Sequence, residues 1–368
     1  MKKYILAFLV ILVTATPGKT QTLPVKQFCR HYEGAIHKDI KLTVNLVRVN
    51  DSLYGDYTVG GPAEQNGRSS TPHTRLLSGK MNPNGSFRVR EYPGEHGPVI
   101  NGHFTDDQHI TGIILNKSGS GKGLPFRLEE NYPVGMTRFN LNYEEDKIKL
   151  TGNAGSPKAV VKLSLLLPAG TTPADDSLRK FILRKFTGRP TMAGKPETLL
   201  AGIRQDYFRE YVTSNKTLYE EMPGASFEWE LLRYTRIVYN GNHRVTFSIS
   251  SYSFTGGAHG NETQSFTTVD MKSGKILSMT DLFKPGYDEE LTRLLTSKLH
   301  KANNLDESRK LVDAGYFTDE IKPSANFYLD ENGIGFCYNQ YEIAPHSFGS
   351  TDIFLTCAEL KGILKQPL

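Results

Sequence analysis

Ile40 to Val49 read IKLTVNLVRV, then Asn50-Asp51, then Leu53 to Val59, LYGDYTV. After its first positions the opening run alternates apolar and polar residues, the period of a strand with one face buried. Asn50-Asp51 is a turn dipeptide, so the two runs read as neighbouring antiparallel strands. The same texture continues from about Arg30 to Glu130. Turn signals recur at Asn82-Pro83-Asn84-Gly85, Pro93-Gly94, Asp106-Asp107 and Ser118 to Gly123. Between them Ser86–Tyr92, Val99–Phe104 and His109–Leu115 read as strands. Short strands at hairpin spacing, with no helical period, predict an all-β antiparallel meander, either a small barrel or a sandwich.

After Tyr132-Pro133 the period changes. Val160–Leu167 predicts a strand. Asp175 predicts the N-cap of a helix carrying Leu178, Phe181, Ile182 and Phe186 on one face and stopped by Gly188-Arg189-Pro190. Glu197–Val212 predicts a second helix. Strands over Phe227–Tyr239 and His243–Phe254 flank Asn240-Gly241-Asn242, a strong hairpin signal. Gln264–Met271 predicts another strand, Asp288–Leu299 a third helix and Asp306–Ala314 a fourth. Asn326–Leu329, Ile334–Tyr341 and Asp352–Thr356 close the chain as strands. Helices segregated from antiparallel strands indicate α+β, with helices packed on an antiparallel sheet. The expected organisation is an all-β domain over 23–131 and an α+β domain over 132–368, with residues 1–22 as a signal peptide.

That signal is read from Lys2-Lys3, the apolar run Ile5 to Val13, and small or polar residues from Thr14 to Thr22. The run is too short to span a bilayer but suits an export signal, cleaved after Ala15 or Thr20. No later segment is apolar enough to span, so the mature chain is expected to be extracytoplasmic, periplasmic or secreted, in a bacterium. The formal charge of +5 includes Lys2, Lys3 and Lys19, and their removal leaves +2. So small an excess makes no electrostatic case for nucleic acid or an anionic membrane.

Motifs that carry chemistry are scarce. His73, His96, His103 and His109 are scattered along strands and turns, and His259 and Glu262 lack helical ligand spacing. Neither a metal site nor a cofactor is expected. There is no Gly-x-Ser-x-Gly elbow, and no catalytic residue can be assigned. Gly119 to Gly123 lacks the spacing of a phosphate loop and reads as a hairpin tip. Of Cys29, Cys337 and Cys357, the last two flank a segment that turns the chain back. If their strands pair with the cysteines opposed, a Cys337–Cys357 disulfide follows in an oxidising compartment; otherwise both are small buried apolar residues.

Two stretches are more specific. Residues 253–260 read SFTGGAHG and residues 341–349 read YEIAPHSFG. Both resemble the signatures of a domain family of unknown function, shared by the C-terminal domain of the lysozyme-sensing anti-sigma factor RsiV and by the accessory region of the peptidoglycan deacetylase PdaC. The order of elements is similar too, and the region from about Val160 to Tyr239 resembles the smaller domain that often precedes that family. The resemblance covers roughly the last two hundred residues. His346 stands where members show a second tyrosine.

The export signal, the resemblance and the absence of a recognisable catalytic constellation together lead to the expectation of an exported, non-enzymatic binding protein of the cell envelope, with a lysozyme-like protein or a peptidoglycan-related glycan as its partner. The binding candidates are Thr255, Gly256, Gly257, His259, Tyr341, Glu342 and His346. Glycines permit positive φ and close backbone approach, so the first loop reads either as a recognition loop or as a constrained connection held by His259. Two alternatives stay open: an envelope hydrolase with a site near His259 and Glu342, and a structural module of an envelope assembly.

Overall fold

The computed structural model describes residues 25–368 apart from 38, 61–74, 93–96, 190–193, 223–226 and 307–308. The signal segment, the Pro93-Gly94 turn, Pro190, His73 and His96 lie outside the described residues. Eight strands come first: β1 (Gln27–Ile36), β2 (Ile40–Val49), β3 (Ser52–Gly60), β4 (Arg75–Met81), β5 (Ser86–Tyr92), β6 (Val99–Phe104), β7 (His109–Leu115) and β8 (Leu124–Glu130). Each pairs antiparallel with the next and β8 returns to β1, so of the two expected architectures the chain adopts the closed barrel.

Alternation along β2 points Leu42, Val44 and Leu46 inward, where they meet Tyr32, Leu53, Phe104 and Ile110. The interior is therefore a packed core rather than a channel. Closure is tight. A Cβ on Gly34 would lie 1.9 Å from the carbonyl oxygen of Arg127, so the β1–β8 seam requires glycine there.

A six-stranded sheet follows, built from β9 (Phe139–Lys149), β10 (Lys158–Pro168), β11 (Trp229–Gly241), β12 (Arg244–Phe254), β13 (Asn261–Asp270) and the short β14 (Lys275–Ile276), in the order β14-β13-β12-β11-β10-β9. Helices α1 (Pro173–Thr187) and α2 (Pro196–Glu221) cross from β10 to β11. That crossover makes β10 and β11 parallel, the one exception to an otherwise antiparallel sheet among the described residues. Leu178, Ile182 and Phe186 of α1 pack on Val161, Leu163 and Phe247 of the sheet.

After α3 (Met279–Leu282) and α4 (Asp288–Ala302), β15 (Phe327–Leu329), β16 (Gly333–Tyr338) and β17 (Thr351–Thr356) form a second, three-stranded sheet, and the short α5 (Cys357–Leu360) ends the fold. Leu291, Leu295 and Leu299 of α4 bury against Phe336 and Leu355. Among the described residues no helix is long and apolar enough to cross a membrane.

Local chemistry moves several expected boundaries. Helix α1 starts one turn before Asp175: the Thr172 hydroxyl accepts from the Asp175 amide at 3.2 Å while Asp175 Oδ2 accepts from the Thr172 amide at 3.0 Å, a reciprocal capping box. The β11–β12 hairpin turns on Asn242 and His243, with φ of 48° and 57°, rather than on Asn240-Gly241. A bulge between Ile237 and Tyr239 shifts the register and moves the turn along the chain. The expected fourth helix over Asp306–Ala314 is, among its described residues, only a 3-10 turn at Val312–Ala314.

The Cys337–Cys357 disulfide is overturned. The strands do pair antiparallel, but Cys337 faces Asp352, and Thr356, just before Cys357, faces Gly333. The two cysteines are therefore separated by about five residues, roughly 16 Å, along the strand direction. A bridge tolerates Cα separations of only about 7 Å. All three cysteines are free.

Cys337 is 1% exposed, and burial together with the nearby Asp352 and Glu342 charges pushes its thiol up to about 12. Non-reducing peptide mapping should recover Cys337 and Cys357 as separate peptides. In the native protein Cys337 should alkylate more slowly than the part-exposed Cys357, because the thiolate is the reacting form. A single peptide joined through both residues would contradict this register.

Candidate functional site

The outer edge of β13 positions the site. Only its last residues, Val269 and Asp270, pair with β14, which leaves the backbone groups near its start to find other partners. Side chains from the second sheet supply them. The Glu262 amide donates to Gln340 Oε1 at 3.4 Å, the Gln264 amide to Asn339 Oδ1 at 2.7 Å, and the Phe266 amide to Asn326 Oδ1 at 2.7 Å. Asn326 Nδ2 also donates to the Gln264 carbonyl at 2.8 Å, so one amide side chain copies the two bonds of a strand partner. Alternate residues of a strand direct their amides to the same edge, so all three contacts fall on one side.

This contact carries two loops into register. Residues 255–260 run directly into β13, and residues 341–346 run directly from Asn339 and Gln340. His259 of the first loop stacks on His346 of the second, with ring centroids 3.7 Å apart and planes inclined by 23°. His346 Nε2 lies 3.2 Å from the Gly260 carbonyl oxygen and His259 Nδ1 lies 3.1 Å from the same oxygen. A carbonyl only accepts, so both nitrogens donate in these contacts. In its neutral form His259 then keeps Nε2 as an acceptor on the exposed side. The Tyr341 ring, 56% exposed, lies 5.7 Å from that of His346.

The first loop depends on glycine. Gly256 and Gly257 have φ of 92° and 90°, a left-handed conformation that side chains disfavour. Thr255 is exposed at the loop's start. In the second loop Tyr341 itself adopts φ of 67°, which turns its ring outward while Ile343 and Ala344 anchor the segment in the core of the second sheet. Phe348, at the end of the 3-10 turn His346–Phe348, is also exposed. So is Phe317, whose amide bonds the Ile343 carbonyl.

The structure thus brings together His259, Tyr341 and His346, with Thr255, Gly256 and Gly257 shaping the first loop. Glu342 does not reach His259: its Oε1 accepts from Asn339 Nδ2 at 3.3 Å. No group of three or more His, Cys, Asp or Glu side chains is placed to hold a metal among the described residues. The arrangement offers stacking faces and hydrogen-bond partners at the surface. Asn326 and Asn339, which hold the loops together, enter the sequence reading only as strand positions and not as site residues. Asparagine in a loop signals a turn, and nothing in its spacing reveals a bond made sixty residues away.

Comparison with known proteins agrees with the two motifs. Residues 280–357 match the family described as Protein of unknown function (DUF3298), and residues 156–262 match that described as Deacetylase PdaC. The peptidoglycan-N-acetylmuramic acid deacetylase PdaC of Bacillus subtilis strain 168 is 25% identical over 133 residues, or 36% of this chain and 28% of that protein. Most of the deacetylase's length thus lies outside the match. A crystal structure of a DUF3298 family member from Bacteroides fragilis is 25% identical and superposes with a TM-score of 0.58 over 63% of this chain and 94% of that one. A DUF3298 family protein from Pseudomonas aeruginosa PAO1 is 21% identical, with a TM-score of 0.46 over 63% of this chain and 97% of its own. The 255–260 loop thus falls within the stretch that matches the PdaC family, and the 341–346 loop within the stretch that matches DUF3298.

His346→Ala should loosen the first loop without unfolding the protein. Amide exchange across Gly256–Gly260 should accelerate, while stability falls by only about 1 kcal/mol, since the lost bond is partly solvated. A cooperative loss of protection throughout β12 and β13 would contradict a local role.

Proposed function

We propose that this chain, which matches DUF3298 and PdaC-family models over parts of its length, is an exported, non-enzymatic binding protein of the cell envelope that recognises a peptidoglycan-related glycan. The observation that carries the reading is the junction of the two loops. Two imidazole rings stack in contact beside an exposed Tyr341, and all three come from motif segments about eighty residues apart. Flat rings with polar edges suit a sugar, which offers an apolar C–H face and a rim of hydroxyls. The PdaC match supports a cell-wall setting, because that protein's name places its substrate in peptidoglycan. A hydrolase would need a carboxylate facing the reacting bond with a partner to poise it. Glu342 instead bonds Asn339, which favours binding over catalysis.

Co-sedimentation of the mature protein with purified peptidoglycan sacculi tests the reading. Wild type should pellet with the sacculi, and Tyr341→Ala or His259→Ala should each weaken binding about three- to tenfold, the scale of a lost aromatic contact. Soluble fragments released by wild type and not by Glu342→Gln would establish the hydrolase reading instead. Retention of lysozyme by the immobilised protein, with no affinity for sacculi, would replace the glycan with a protein partner.

A further inference from the structure

Alternation alone would send His31, Asn45 and Asp56 to the water-facing side of the barrel. The six-stranded sheet covers that face. Tyr54 Oη meets Ser164 Oγ at 3.0 Å, and Cys29 packs against the sheet's core. The two surfaces do not close on one another completely. A cavity of about 410 Å³ lies between them, with Leu77 and Asp56 on the barrel side and Phe139, Leu166 and Arg236 on the sheet side.

Its polar groups are unusual in their bonding. His31 is 7% exposed and Asp56 5%. Asn45 links them: His31 Nδ1 lies 2.7 Å from Asn45 Oδ1, and Asn45 Nδ2 donates to Asp56 Oδ1 at 2.6 Å. His31 Nε2 is buried with no hydrogen bond, its nearest charge being Glu33 Oε1 at 3.8 Å. The Arg236 side chain makes no hydrogen bond or ion pair among the described residues, and its Nε is buried without a partner. By contrast Arg30, which also borders the cavity, is occupied by Asp107 and Glu130. Buried polar atoms are ordinarily satisfied, and two unsatisfied ones on residues lining one cavity, His31 Nε2 and Arg236 Nε, mark a place where a ligand supplies the missing partners.

We propose that this cavity binds a small organic acid with an apolar body, its anionic group on the Arg236 guanidinium and its hydroxyl or amide groups on the Asp56–Asn45–His31 relay. Arg236 feels the charges of Asp56 and Asp352 without a direct ion pair to either, so its guanidinium hydrogens stay open to an incoming carboxylate, sulfonate or phosphate. Leu77, Phe139 and Leu166 would take the apolar body. Burial also raises the Asp56 carboxyl above its ordinary range, so it holds a proton more readily and can donate as well as accept. The site is separate from the two loops and stands whether or not they bind glycan.

The probe is anilinonaphthalene sulfonate, an apolar ring system bearing one anion, titrated into the full mature chain and followed by fluorescence and calorimetry. One molecule should bind per chain. The uncharged analogue phenylnaphthylamine should bind about tenfold more weakly, and Arg236→Gln should weaken the sulfonate by a similar factor. Ser78→Trp, a change at an exposed rim position, should block entry and lower affinity at least as far. Circular dichroism identifies variants that remain folded; should Arg236→Gln fail to fold, Ser78→Trp decides. Tyr341→Ala should leave dye binding unchanged. Failure of wild type to bind the dye, equal affinity for the uncharged analogue, or unchanged affinity in the folded cavity variants would each overturn the proposal.

Discussion

Asn326 joins two sheets that share no strand ladder. Its side chain completes the backbone bonds of Gln264 and Phe266 on β13, and its own carbonyl accepts from the amide of Cys337, in β16, at 2.9 Å. A free strand edge is a template for unwanted pairing, and an amide side chain is a compact group that can satisfy both a donor and an acceptor there. Asn339 and Gln340 extend the same edge by two more bonds. Because these contacts fix the second sheet against β13, they also fix the loops that emerge beside it. The stacking of His259 on His346 is a consequence of that junction.

The barrel meets the rest of the molecule on a different principle. Its inward residues are apolar and its seam closes tightly at Gly34, so it is packed without help from its surroundings. Its outward residues on β1, β2 and β3 are polar but buried, because the six-stranded sheet lies over them. Polar groups removed from water must find partners. Some do, as in the Asn45 relay, and others are left facing the cavity. The tight β1–β8 seam and the loosely bonded cavity wall are thus built from opposite faces of the same strands.

Much of this was legible in the residues. Alternation in Ile40–Val49 and the recurring turn signals indicate an antiparallel meander, since a strand buried on one face must alternate. Closure into a barrel was one of two readings, and alternation does not distinguish them. The helices were visible from their apolar stripes, and the TGGAHG and YEIAPH segments marked the surface that the fold assembles. Longer-range facts were hidden. The bulge at Ile237 shifts a hairpin that Asn240-Gly241 seemed to specify, and Asn240 bonds the Thr137 backbone instead. The cysteine pairing failed because register along β16 and β17 is set by packing, which spacing does not encode. Nothing marks His31 and Asp56 as more than ordinary polar positions, for their burial depends on a sheet distant in sequence, just as the surroundings of Arg236 on that sheet depend on the barrel.

The dependence of the surface on the sheet junction is open to one direct measurement: residue-resolved hydrogen exchange on wild type and on Asn326→Ala. Loss of the side chain should remove protection at Phe266, and the disturbance should spread along β13 to Glu262 and to the amides of the 255–260 loop, with exchange at these positions rising together. A rise confined to Phe266, with the loop and Glu262 unchanged, would show that the two loops are held by their own contacts and that the junction does not organise the surface.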